Sequence, residues 1–206
     1  MLLPREPRWD AVIGSAAALF SENGFAATSV REVAERARIT KAGLYYHIRE
    51  KEDLLFRICD HSITAVLEGG YAVLENEAAP RARLAGIVRM HVDYFVRHPH
   101  NLRVLTREMG ALSPEPRAKV ATLEHEYLDL IRGVIRDGQA AGVFAQVDAT
   151  IAAFTVLTVM NNLFDWYDPK GRIKPEALVG QIEAILFDGI AAAKDGRTKN
   201  KGGKAA

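Results

Sequence analysis

Thr40, Lys41, Tyr45, Tyr46 and His47 put a hydroxyl, an amine, two phenols and an imidazole into one short segment, with only the small Ala42 and Gly43 and one leucine between them. Such groups suit hydrogen bonding to phosphate oxygens and base edges. Only Leu44 and Ile48 in this stretch read as core. A donor-rich segment with little apolar surface is a poor packing element and a good insert for a major groove. Gly43 inside a helix costs about 1 kcal/mol against Ala, a cost that close backbone approach to DNA would offset. Arg31 and Lys51 flank the segment. An arginine can grip guanine O6 and N7 with two bonds, and a lysine suits a phosphate as a point charge.

The elements that must position these groups are legible. Ser29-Val30-Arg31-Glu32 has the capping-box form, so a helix starts there. Val33, Ala34 and Ala37 give it one apolar face, and it ends near Arg36 to Arg38. Ile39 turns into the core, and Thr40 caps a second helix running from Lys41 to His47. Trp9 to Glu22 precedes them as an amphipathic helix closed by Asn23-Gly24.

These residues also carry a resemblance. Phe20-Ser21-Glu22-Asn23-Gly24-Phe25-Ala26-Ala27-Thr28-Ser29-Val30, then Lys41-Ala42-Gly43-Leu44-Tyr45-Tyr46-His47, then Lys51-Glu52-Asp53-Leu54-Leu55, resemble the TetR family of transcriptional regulators over roughly residues 9 to 56. The resemblance implies an all-helical homodimer with an N-terminal helix-turn-helix and a variable C-terminal domain that binds a small molecule. It implies base contact at Arg31 and phosphate contacts from Tyr45 and His47. It also implies a regulator, most often a repressor, released from a palindromic operator. One departure is Glu50, a poorer cap than the Ser or Asn often found there.

Charge is distributed as a DNA binder requires. From Thr28 to Lys51 there are six Lys/Arg against three acidic residues, a net of +3. From Glu52 to Ala193 there are fourteen against nineteen, a net of −5, and from Lys194 onward five against one, a net of +4. A basic head on an acidic body touches phosphates at one end only. The single Cys59 sits at an apolar helix position, excludes an internal disulfide framework and suits a reducing cytoplasm. Met1 to Asp10 does not read as a secretory signal, and no apolar run reaches the ~20 residues a membrane helix needs.

The remainder reads as helices at 51–74, from Pro80 to His98, from Pro99 to Leu112, 117–141, 148–166 and 175–193, with no sheet. Gly69-Gly70 marks a weak point where the first of these can bend. The expected organisation is all-α: a three-helix DNA-binding domain over 1–50, a larger helical ligand-binding and dimerisation domain over 51–194, and a disordered basic tail over 195–206.

A specific operator needs two recognition helices about 34–36 Å apart, hence a dimer. The last two long helices carry more apolar residues than one internal face requires. Ala152, Thr155, Val156, Val159 and Leu163, with Leu178, Ile182, Ile185, Leu186 and Gly189, are the expected interface, a four-helix bundle across a two-fold axis.

The expected ligand site combines apolar Met90, Tyr94, Phe154 and Trp166 with Arg103, Arg107 and the amides Asn161 and Asn162. That mixture fits an amphipathic effector with an anionic end, such as an acyl-CoA or a hydrophobic acid. The segment from Asp165 to Gly171 resembles the C-terminal end of TetR members that sense acyl-CoA thioesters.

Catalysis has no comparable support. The six histidines fall in no zinc-protease, Cys/His metal-ligand or nucleophile-elbow pattern, and His98-Pro99-His100 reads as a loop rather than a metal site. No enzyme activity, cofactor or metal is expected.

Overall fold

The computed structural model describes residues 9–189. Ten α-helices follow one another among these residues, with no strand. They are α1 (Trp9–Asn23), α2 (Val30–Arg36), α3 (Lys41–His47), α4 (Lys51–Asn76), α5 (Pro80–Arg97), α6 (Pro99–Glu108), α7 (Pro114–Ala140), α8 (Ala149–Asn161), α9 (Leu163–Trp166) and α10 (Pro175–Asp188). A short 3₁₀ turn, Met109–Ala111, continues α6. The expected end of the last helix at Ala193 and the basic tail over 195–206 lie outside the described residues.

One hydrophobic cluster runs through the whole described chain. In the head it joins Val12, Ala16 and Phe20 of α1 to Val33 and Ala34 of α2 and Leu44 of α3. α4 carries it into the body through Leu54, Leu55, Ile58 and Ile63, packed against α5, α6 and α7. α1 also packs directly on α6, so the head rests on the body through two helices.

Two helices of the body are bounded differently from the sequence expectation. α7 starts at Pro114, before the expected Arg117, because both Pro114 and Pro116 fall in its first turn, where backbone N–H groups have no helical partner to lose. The expected helix over 148–166 is broken between Asn161 and Leu163, where Asn162 leaves helical geometry. α4 runs unbroken through Gly69-Gly70. A Cβ on Gly69 would come within 2.7 Å of the Met90 sulfur, and one on Gly70 within 3.2 Å of Leu130. These glycines let α5 and α7 approach α4 closely; they do not end it.

Candidate DNA interface and effector cavity

The head is built by caps and one anchor. Glu32 N–H donates to Ser29 Oγ at 3.2 Å, and Ser29 N–H donates back to the Glu32 carboxylate at 2.7 Å, completing the capping box. α2 ends with Arg38 in the left-handed region at φ 57° and Ile39 N–H donating to Ala34 O at 3.0 Å. That closure reverses the chain within a few residues. Gly43 N–H then donates to Thr40 Oγ1 at 3.0 Å and starts α3. Leu44 is fully buried and holds α3 in the hydrophobic cluster beside α2. With that face fixed, Lys41, Ala42, Tyr45 and Tyr46 point to solvent, Tyr46 with 85% of its surface free.

The candidate DNA contacts therefore share one face, with qualifications. Thr40 is exposed, but its hydroxyl is engaged in the cap. Gly43 has a local reason for being glycine, because a Cβ there would sit 3.1 Å from Thr40 Oγ1 and press on the cap. His47 is half-buried, its ring 5.1 Å from those of both Trp9 and Tyr46. Arg31 pairs with Glu35 at 2.7 Å, both well exposed. Solvent screens a surface pair of this kind, so a phosphate or a base can take the guanidinium.

Lys51 departs from the expectation. Its ammonium donates to the carbonyls of Phe25, Ala26 and Thr28 at 2.7, 3.3 and 2.8 Å and lies 4.3 Å from the Phe25 ring centre. All three bonds hold the α1–α2 loop, so Lys51 is a tether and not a free phosphate clamp. Glu50 stands at the N-cap of α4 in a capping box with Asp53. Asp53 holds the measured bonds of this cap, accepting from Arg49 N–H at 2.7 Å and Glu50 N–H at 3.3 Å. Sequence reasoning also passes over Arg49 and Arg57, exposed arginines that share a surface groove with Tyr45, Tyr46 and His47.

In the body, a cavity of about 320 Å³ lies among α4, α5, α6, α7 and α8. Its walls are mainly Ile63, Val66, Leu102, Leu105, Leu128 and Leu157. The volume sits at the lower end of the ~300–1,000 Å³ usual for small-molecule sites. Phe154, Asn161 and Asn162 line it, as the sequence suggests. The others do not. Met90 fills the slot beside Gly69, Tyr94 is buried in the core, and Trp166 is exposed on α9. Arg103 and Arg107 stand on the other side of α6, over the Phe164 ring at 5.8 and 5.6 Å, and Arg107 pairs with Asp165 at 2.8 Å. Helix membership alone groups these arginines with the cavity; the turn of α6 sends Leu102, Leu105 and Thr106 to it instead.

The polar part of the wall joins Asn161 and Asn162 to His91 of α5 and to Glu124 and Tyr127 of α7. His91 is buried, its Nδ1 is 3.2 Å from the Tyr127 hydroxyl, and the rings stack at 6.0 Å. Burial drives the His91 pKa down to about 4, so the ring is neutral. Its Nε2 has no partner among the described residues. Burial also raises the Glu124 carboxyl above its usual range. The only signal for these in the sequence is polar side chains at inward positions of α5 and α7.

The expected dimer surface splits in two. Val156, Leu163, Leu178 and Ile182 are buried within the chain itself and have no surface left for a partner. Ala152, Val159 and Leu186 are half-buried, whereas Thr155, Ile185 and Gly189 are exposed. The free apolar stripe is instead Val147, Ile151 and Phe154 on and before α8, and Ala177, Ala184 and Ile185 on α10. Ile151 is 69% exposed and Ile185 53%. A groove lined by Ile151, Ala152, Leu186 and Phe187 joins the two helices.

Cys59 is buried and its pKa is pushed up to about 12, chiefly by burial, which leaves an unreactive thiol. Among the described residues no helix is long and apolar enough to cross a membrane.

An N-terminal helix-turn-helix with a donor-studded second helix, carried on a helical body, defines a DNA-binding type of protein. Residues 12–58 match the family described as bacterial regulatory proteins, tetR family, and residues 77–190 match the tetracyclin repressor-like C-terminal domain. The chain belongs to the TetR family of DNA-binding transcriptional regulators, which are not enzymes. It is 22% identical over 189 residues to the fatty acid metabolism regulator protein of Bacillus subtilis (strain 168), covering 90% of this chain and 97% of that one. Among solved structures it is similar to the TetR-family regulator PfmR from Thermus thermophilus, at 29% identity and TM-score 0.82, covering 88% of this chain and 99% of that one. It is also similar to AibR, solved in complex with isovaleryl coenzyme A and operator DNA, at 29% identity and TM-score 0.80, covering 87% and 98%.

Proposed function

We infer that this chain is a homodimeric repressor that leaves a palindromic operator when a small apolar or acyl-CoA-like effector enters the body. The observation that carries this reading is the cavity and its relation to α6. Leu102, Leu105 and Thr106 of α6 line the cavity. On the opposite side of the same helix, Glu108 accepts a hydrogen bond from Phe25 N–H at 3.1 Å, in the loop that leads to α2. Occupation of the cavity therefore bears on the helix that supports the head. Induction follows if the effector binds best to a form whose two recognition helices no longer match successive major grooves.

Arg31, Lys41, Ala42, Tyr45, Tyr46 and His47 are the contacts proposed for DNA, joined by Arg49 and Arg57 from the same surface. The exposed stripe of α8 and α10 is proposed as the dimer face. AibR with its isovaleryl coenzyme A supports an acyl effector. A cytoplasmic protein with one buried thiol agrees with access to chromosomal DNA.

The test is selection of genomic fragments by the purified protein at fixed salt, followed by gel shifts on the selected site with and without acyl compounds. A preferred palindrome released by such a compound is expected. Binding with no sequence preference would overturn the operator reading. A specific complex that no compound entering the cavity can release would overturn the induction reading.

A further inference from the structure

Resting on the reading that the cavity receives the effector, we propose that Glu124 restricts it to uncharged apolar ligands bearing a carbonyl or hydroxyl, and bars free carboxylates.

The composition of the wall carries this. No lysine or arginine lines the cavity among the described residues. The arginines on α6 that the sequence would recruit, Arg103 and Arg107, stack on Phe164, and Arg107 is paired with Asp165. Glu124 is the single acidic side chain among the lining residues, and its charged surroundings amount to the neighbouring His125. The His125 ring is itself exposed and held by the Ala121 carbonyl through Nδ1 at 2.6 Å. A carboxylate ligand would thus share the cavity with a second carboxyl, with no lysine or arginine beside it and only the exposed His125 ring as a cationic neighbour. Two carboxylates brought together there repel each other, and that repulsion weakens binding.

A neutral ligand meets none of this. The His91–Tyr127 pair in the wall is neutral at physiological pH and has an unspent ring nitrogen. Asn161, Asn162 and Thr158 add further uncharged donors and acceptors beside Phe154. An ester, a thioester, a ketone or an alcohol on an aliphatic body satisfies these groups without bringing charge. The acyl end of a coenzyme A thioester has the same chemistry, its phosphates remaining outside the wall described here.

Isothermal titration of the full chain with octanoate, methyl octanoate, octanoyl coenzyme A and octylamine separates the cases. Methyl octanoate is expected to bind at least ten-fold more tightly than octanoate. Octanoyl coenzyme A binding as well distinguishes a thioester source from a simple neutral lipid; either result agrees with the proposal. Glu124→Gln should tighten octanoate relative to methyl octanoate at least ten-fold, with circular dichroism showing that the variant is folded. Octanoate binding the wild type as tightly as the ester would overturn the proposal. So would octylamine binding that exceeds the ester and is lost in Glu124→Gln, which would make the cavity a cation site. If no member of the series binds wild type or variant, the acyl-effector reading falls together with this one. Binding by octanoate alone removes only the selectivity argued here.

Discussion

Ile185→Glu should dissociate the dimer while leaving each chain folded. Ile185 is 53% exposed on α10, so within one chain the substituted carboxylate stays in water and costs little. In a dimer that covers this face, the isoleucine loses its remaining exposure. Covering about half of an isoleucine is worth roughly 1 kcal/mol on a scale of ~1.5–3 kcal/mol for the whole side chain, and two-fold symmetry counts it twice. The glutamate forfeits this and adds an unpaired charge to a desolvated surface, a penalty of about 3–5 kcal/mol when no partner is supplied. At ~1.4 kcal/mol per decade, the dissociation constant should rise by three orders of magnitude or more. Sedimentation velocity at low micromolar concentration should show about 45 kDa for the wild type, twice the 22.7 kDa chain, and the chain mass for the variant. Circular dichroism should show helix content retained. Ile151→Glu on α8 should behave alike, because Ile151 is 69% exposed on the same stripe. A variant that stays dimeric, or loses mass only by unfolding, would refute the assignment of this face.

Leu44→Ala removes the anchor of α3 and should destabilise the fold by about 2–5 kcal/mol, read by urea unfolding. Tyr46→Ala, at an 85% exposed position, should leave stability within about 0.5 kcal/mol and weaken operator binding in a gel shift. Lys51→Ala should lower head stability and free the α1–α2 loop amides to hydrogen exchange, rather than simply reduce the salt dependence of DNA binding by one phosphate's share. Stability should fall as pH drops from about 6.5 to about 4, because the unfolded chain takes up a proton on His91 there while the folded chain, with its pKa held near 4, does not. The loss is roughly 3 kcal/mol and should be largely absent in a folded His91→Phe variant.

The head is almost fully legible in the sequence because its determinants are local. Capping at Ser29 and Thr40, the limits of α3 and the burial of Leu44 all follow from neighbours within four residues. Lys51 is misread because its partners lie on Phe25, Ala26 and Thr28, more than twenty residues earlier, and nothing in the spacing announces a lysine donating to loop carbonyls. The body is legible as helices and poorly legible as surfaces. The apolar residues on α8 and α10 are indeed too many for one face, but which of them face inward depends on where α5 lies. α5 buries Leu178 and Ile182 and leaves Ile185 free. The cavity escapes prediction for the same reason: a helix sequence shows which residues share a face, not which neighbour that face meets.

That distinction matters most for α6. Its ten residues put Leu102, Leu105 and Thr106 on the cavity and Arg103, Arg107 and Glu108 beside Phe20, Ser21, Glu22 and Gly24 of the head. Taken together, they look like a ligand site with arginines; taken as two faces, they are a rigid piece between two sites. A ligand changes DNA affinity only through a difference in its own affinity for two arrangements, and a short helix touching both cavity and head is a physical carrier for that difference. Its tie to the head is the Glu108–Phe25 hydrogen bond, with Glu52 accepting from Ser113 N–H at 2.7 Å just beyond the 3₁₀ turn. Allosteric couplings are typically about 1–3 kcal/mol, and a hydrogen bond to a charged group is worth about 1.5–3 kcal/mol, less here because the site is only partly buried. One such bond is therefore enough to carry much of the coupling. Glu108→Ala should preserve effector binding and shrink the effector-induced drop in operator affinity several-fold. An unchanged ratio of affinities with and without effector would place the coupling in α4 instead, the other helix shared by cavity and head.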